Sequence, residues 1–275
     1  MNDETVPSQP AFVRQLGEGA RRTLALHCTM AHSGAWSGLA AALDDQATLI
    51  APDMLSHGSS PDWGGKGNYF DRVTETAAQH LSEPMDVIGH SMGGMIALRL
   101  AVEFPDLVRS AVLIEPVFFA IAAQDAPRLL RQHDEDARPY AEARAAGDME
   151  LAARTFNRMW GTDDSPCWPD LSDKKRAAMI RGVHVVAAVE GALFQDTHGL
   201  LKPGMLDRAN MPVLILGGSK THPVIPAVIQ GLCRRLPNAQ TVVIDGAGHM
   251  VPISHPKGTA ACIQNFWASQ PSVSG

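Results

Sequence analysis

The chain has 275 residues, 45% of them hydrophobic and 19% charged, with 23 Lys and Arg against 29 Asp and Glu for a formal net charge of -6. That composition fits one large folded unit around a main hydrophobic core and excludes a disordered or fibrous chain. No basic run is present that could track a phosphate backbone, and no stretch approaches the roughly 18 apolar residues that span a bilayer, so neither nucleic acid nor a membrane is an expected partner.

The first residues, Met1-Asn2-Asp3-Glu4-Thr5, are acidic where an export signal is basic and then apolar. Cys28, Cys167, Cys233 and Cys262 are scattered, without a C-x-x-C pair, and reduced thiols in the cytoplasm are the expectation. Up to Val6 the chain is polar and expected to fray, with structure starting after Pro10. Short apolar segments at 23–27, 47–53, 85–89 and 108–115, and later at 212–217 and 241–245, end in polar or Gly residues, as buried parallel strands do. Helical spacing fills the intervals, for example over 95–102, and this alternation predicts a doubly wound, mostly parallel α/β sheet.

The alternation breaks once. Over 117–211 no strand pattern occurs and Ala, Arg, Glu, Met and Leu dominate, which predicts a helical cap inserted into a core made of residues 1–116 and 212–275. Within the insertion, Gly147-Asp148 separates two predicted helices over 141–159, residues 161–166 read as a loop, and 171–189 reads as helix capped by Ser172 or Asp173. Asp134-Glu135-Asp136, flanked by Arg131 and Arg138, reads as a solvated face of this cap.

Gly89-His90-Ser91-Met92-Gly93 is a G-x-S-x-G motif between a predicted strand and a predicted helix. Small residues at 89 and 93 permit a sharp turn that lifts the Ser91 hydroxyl above the sheet at a helix N-terminus, the setting of a nucleophile. A serine needs a base, and His249, in Asp245-Gly246-Ala247-Gly248-His249-Met250 after the last strand, is the favoured one of eleven histidines. The sequence contains no H-E-x-x-H, compact Cys/His cluster or Walker motif, and Gly17-Glu18-Gly19 lacks a third glycine, so neither a metal nor an organic cofactor is expected.

Together with Leu26-His27 followed by Trp36, the turn at 53–59, and Phe104-Pro105-Asp106-Leu107-Val108, these motifs resemble the α/β-hydrolase fold family from about residue 22 to 268. The cap falls where that family carries one, after its sixth strand. The resemblance implies serine-dependent hydrolysis of an acyl bond, with catalytic residues in chain order Ser, acid, His. Most members carry the acid just after the strand that is 213–217 here, yet this chain continues Gly218-Ser219-Lys220-Thr221-His222-Pro223, without a carboxylate. A minority place it at the end of the preceding strand, where this chain has Glu115; Asp245 is the rival, and Asp53 is expected to organise the Ser56-His57-Gly58 turn.

In that arrangement, and over 248–256, the chain is similar to lactone hydrolases acting on zearalenone. The family reads His-Gly where this chain has His27-Cys28, and by position the amides of Thr29 and Met92 form the oxyanion hole. Cys28 is expected to be a small buried residue rather than a nucleophile. Phe156, Trp160 and His184, with Met159, Trp168, Met179 and Phe194, are candidates to line a substrate pocket under the cap. The implied function is hydrolysis of a small carboxylic ester or lactone through an acyl-enzyme. The alternatives are carbon–carbon bond hydrolysis of a diketone-like substrate and a low-turnover ligand-binding protein on the same frame.

Overall fold

A computed structural model describes residues 10–270, so the stretch up to Val6 lies outside the described residues. Seven strands form one sheet: β1 (Val13–Leu16), β2 (Arg21–Leu26), β3 (Ala47–Pro52), β4 (Met85–His90), β5 (Val108–Ile114), β6 (Val213–Gly218) and β7 (Ala239–Ile244). Their spatial order is β1-β3-β2-β4-β5-β6-β7, and every pair is parallel except β1 with β3. The six parallel strands are those the sequence predicts. β1 is not, because Val13, Arg14 and Gln15 are all exposed on an edge strand and leave no apolar run to detect.

Within the sheet, successive side chains point to opposite faces. Val87, Leu113 and Ile215 pack under α2 (Tyr69–Ala78), α3 (Met92–Glu103) and, beyond the insertion, the helix over Val224–Arg235. Ile88, Val112, Ile114, Leu214 and Leu216 face α1 (Ser37–Leu43) and the final helix, Pro256–Ala268. Burial on both faces is why β4 and β6 read as unbroken buried runs rather than alternating ones.

Between β5 and β6 the described residues form only helices: α4 (Phe119–Asp125), α5 (Pro127–Asp136), α6 (Arg138–Ala145), α7 (Met149–Met159), α8 (Asp173–Gly182), α9 (Val185–Ala188) and α10 (Glu190–Phe194). After β6 come α11 (Val224–Arg235), α12 (Val251–Ser254) and α13 (Pro256–Ala268). The predicted break at 147–148 is present: Gly147 has φ +77°, and the Asp148 carboxylate accepts from Leu151 N–H at 2.9 Å to open α7. Ser172 caps α8 by accepting from Lys175 N–H at 3.3 Å. The helix predicted to reach residue 189 instead stops at Gly182, where the chain passes so close to His57 that a Cβ would lie 3.0 Å from its Nε2. Among the described residues no helix is long and apolar enough to cross a membrane.

Candidate active site

The site lies at the C-terminal ends of β4 and β5, where open α/β sheets gather their ligands. The two strands run in register to His90 beside Ile114, and the next residue of each, Ser91 and Glu115, turns into a left-handed conformation with φ +56° and +51°. Neither is a glycine, and strained backbone at adjacent strand ends is the mark of a site whose side-chain directions are fixed. Backbone bonds hold both turns: Ser91 N–H donates to Ile114 C=O at 2.9 Å, and Glu115 N–H donates to Leu216 C=O at 2.8 Å. A Cβ on Gly89 would fall on the Gly93 carbonyl and one on Gly93 on the Leu26 carbonyl, so the glycines of the motif are required by close approach of backbone.

Glu115 and His249 meet. The imidazole Nδ1–H donates to Glu115 Oε2 at 2.9 Å, with the glutamate fully buried and the histidine 5% exposed. The stretch lacking a carboxylate after β6 cradles Glu115 instead: Gly218 N–H donates to Oε1 at 2.7 Å and the Thr221 hydroxyl donates to Oε2. Asp245, the rival acid, is exposed and accepts from the Ser219 hydroxyl at 2.9 Å, with no bond to His249.

His249 is also held through its backbone, since His90 Nε2–H donates to its carbonyl at 2.8 Å. Burial, with the neighbouring imidazole of His249 next, pushes His90 down to about 3, so it is a neutral strut. Trp160, at the end of α7, lies over the His249 ring with centroids 4.3 Å apart. Ser91 opens onto the cavity, and its Oγ makes no hydrogen bond among the described residues, to His249 or to any other group. Catalytic contacts often close only around substrate.

Thr29 and Met92 border the same cavity as Ser91, and neither amide has a partner among the described residues. Two buried histidines fix the loop carrying Thr29: Met54 N–H donates to His27 Nε2 and Met30 N–H to His57 Nε2, each at 2.9 Å. Their other nitrogens donate to the Cys28 and Leu55 carbonyls at 2.8 and 2.9 Å. Burial lowers His27 to about 4 and His57 to about 3, and it pushes the Cys28 thiol up to about 12, which leaves Cys28 an unreactive packing residue. Asp53 organises the turn as expected, accepting from Ser59 N–H at 2.8 Å and from Ser33 N–H at 2.6 Å.

The cavity above Ser91 has a volume of about 430 Å³ and is walled by the cap. Phe156, Met159, Trp160 and Phe194 line it. His184 does not: it is exposed, bonded through Nδ1 to the Arg181 carbonyl, and stacked on Trp63 at 6.4 Å. Its placement follows from the helix break at Gly182, which a continuous helix over 171–189 did not allow for. Trp168 and Met179 instead join a small cluster inside the cap.

Sequence reasoning missed His133, Asp134, Tyr140 and Glu190 in the lining. His133, Ala137, Tyr140 and Ala141 recur at i, i+4, i+7 and i+8, a helical stripe that was there to be read. The acidic run is a solvated face as expected, with all three side chains exposed, although Asp134 also borders the cavity and Asp136 Oδ2 bonds His222 Nε2 at 3.1 Å.

The sheet order, the strained serine turn and the cap define an α/β-hydrolase-type enzyme. Residues 24–256 match the profile of the α/β hydrolase fold, and the chain belongs to that family. It is 26% identical over 242 residues to a pimeloyl-[acyl-carrier protein] methyl ester esterase of Nitrosomonas europaea, covering 86% of this chain and 92% of that one. With Lipase LipV of Mycobacterium tuberculosis it shares 28% identity over 90% of this chain and 93% of the relative. A solved hydrolase from Pseudomonas aeruginosa PA01 shares the fold, with a TM-score of 0.71 at 20% identity over 94% of each chain.

Proposed function

We propose that the chain is a serine hydrolase that cleaves a small carboxylic ester or lactone through an acyl-enzyme. Ser91 attacks the carbonyl carbon as His249 takes its proton, and the amides of Thr29 and Met92 receive the oxyanion. His249 then protonates the leaving group. Water, deprotonated by the same imidazole, releases the acid, while Glu115 keeps Nδ1 protonated and stabilises the imidazolium.

The observation that carries this reading is the 2.9 Å bond from His249 Nδ1 to a fully buried Glu115, beside a serine held at φ +56° on a cavity wall. The relatives named for ester cleavage support the bond type. Four free cysteines are in keeping with a cytoplasmic chain. The test is labelling by a fluorophosphonate together with hydrolysis of short 4-nitrophenyl esters. Both are expected from the native chain and both should vanish in Ser91→Ala; an unlabelled serine and inert esters would favour a ligand-binding role.

A further inference from the structure

We propose that the cavity above Ser91 selects an uncharged, apolar ester or lactone and rejects substrates that carry a carboxylate, a specificity that rests on the hydrolase reading of the same site. The walls are aromatic: Phe119 packs on Phe194 with centroids 4.6 Å apart, and Phe156 meets both Trp160 at 6.4 Å and Tyr140 at 5.3 Å. The volume of about 430 Å³ lies toward the small end of the range for sites that take a single small molecule.

Among the described residues, the charged groups in the lining are Asp134, on α5, and Glu190, at the start of α10, and no Lys or Arg lines it. Arg144 is outside the lining, with Nη2 3.6 Å from Glu190 Oε1 and its guanidinium 6.0 Å from the Tyr140 ring centroid. His133, the one described lining group able to gain a positive charge, is 5% exposed and directs Nδ1 at Asp134, 3.3 Å away. Burial lowers its pKa, against the opposing pull of the Asp134 bond, so the ring is neutral. A substrate carboxylate here gives up its water among aromatic rings, meets no Lys or Arg in the described lining, and faces the Asp134 carboxylate, the Glu190 charge being offset by Arg144. Sites that hold carboxylates do so with a guanidinium fork or an ammonium, and this lining has neither.

The experiment compares two esters that differ by one charge, methyl 4-nitrophenyl glutarate and mono-(4-nitrophenyl) glutarate. The expected result is a kcat/KM at least tenfold higher for the uncharged diester, a ratio that shrinks in Asp134→Asn/Glu190→Gln and shrinks further in Asp134→Lys. These side chains are 59% and 45% exposed, so the substitutions leave the core intact. Equal rates overturn the proposal, as does a preference for the hemiester that is lost in Arg144→Gln. A readout independent of turnover separates this idea from the hydrolase reading: quenching of tryptophan fluorescence in Ser91→Ala by 3-phenylpropanamide against 3-phenylpropanoate. Tighter binding of the amide with inert esters would sink the hydrolase reading alone, and equal or tighter binding of the acid sinks the charge selection.

Discussion

Asp86, in β4, and Glu115, which follows the neighbouring β5, are both fully buried carboxylates at opposite ends of the sheet, and they are compensated in opposite ways. Asp86, near the start of β4, is pinched between two permanent cations, with Arg21 Nε at 2.6 Å and Arg109 Nη2 at 2.5 Å, and accepts from the Ser110 hydroxyl at 2.6 Å. Glu115, just past the end of β5, receives a backbone amide, a threonine hydroxyl and an imidazole. One end is closed electrostatically. At the other, among the described residues, no Lys or Arg bonds the carboxylate, and its partners are an amide, a hydroxyl and an imidazole.

Breaking the comparison at the site end has the largest effect. His249→Gln removes the proposed base, and 4-nitrophenyl ester turnover is expected to fall about 10⁴-fold or more, measured against the uncatalysed rate. Acid is the next lever. His27, His57 and His90 are buried and neutral with pKa values lowered to about 4, 3 and 3, while the unfolded chain titrates near 6.5. Between those values the unfolded state binds more protons, so stability is complete above about pH 6.5 and declines as pH falls toward 4 and then 3. Urea midpoints at pH 7.5, 6 and 5 should drop in that order; a flat profile would contradict the buried neutral assignment.

At the opposite end, Asp86→Ala leaves two arginines and a serine without their shared acceptor. Both arginines keep about a quarter of their side-chain surface in water, which moderates the cost to about 3 kcal/mol. Chemical unfolding reads that loss, while kcat/KM of the remaining folded protein stays within about threefold. The smallest effect is at Trp160, whose ring covers His249. Trp160→Leu removes an aromatic face 4.3 Å from the imidazole that would stabilise the imidazolium of the proposed mechanism by about 1 kcal/mol, and kcat is expected to fall about fivefold.

Much of the fold was legible because buried parallel strands and a serine turn write themselves in local composition. β4 is buried along its whole length, and Gly89 and Gly93 have no sterically permitted substitute at that turn. β1 was hidden by its exposure, and Gly182, where α8 ends, lies against His57, more than a hundred residues distant in sequence, a contact no periodicity encodes.

The site followed the same rule. Ser91 and His249 stand in motifs, whereas Glu115 was reached only through a family resemblance and owes its place to Gly218 and Thr221, donors from a different strand and loop. His90 sat in full view inside the motif, yet its bond to the His249 carbonyl depends on a fold that brings residues 159 positions apart together. His184 was misplaced for a related reason, since its direction depends on where α8 stops.

The proposed mechanism turns on the support of His249 by Glu115 and not by Asp245. Steady-state kinetics of Glu115→Gln and Asp245→Asn on one 4-nitrophenyl ester address it most directly. A loss of about 10³ to 10⁴ in kcat is expected for Glu115→Gln, because the imidazole loses the tautomer and charge support a carboxylate gives, and a change within about threefold for Asp245→Asn. Full activity in Glu115→Gln together with collapse in Asp245→Asn would contradict it.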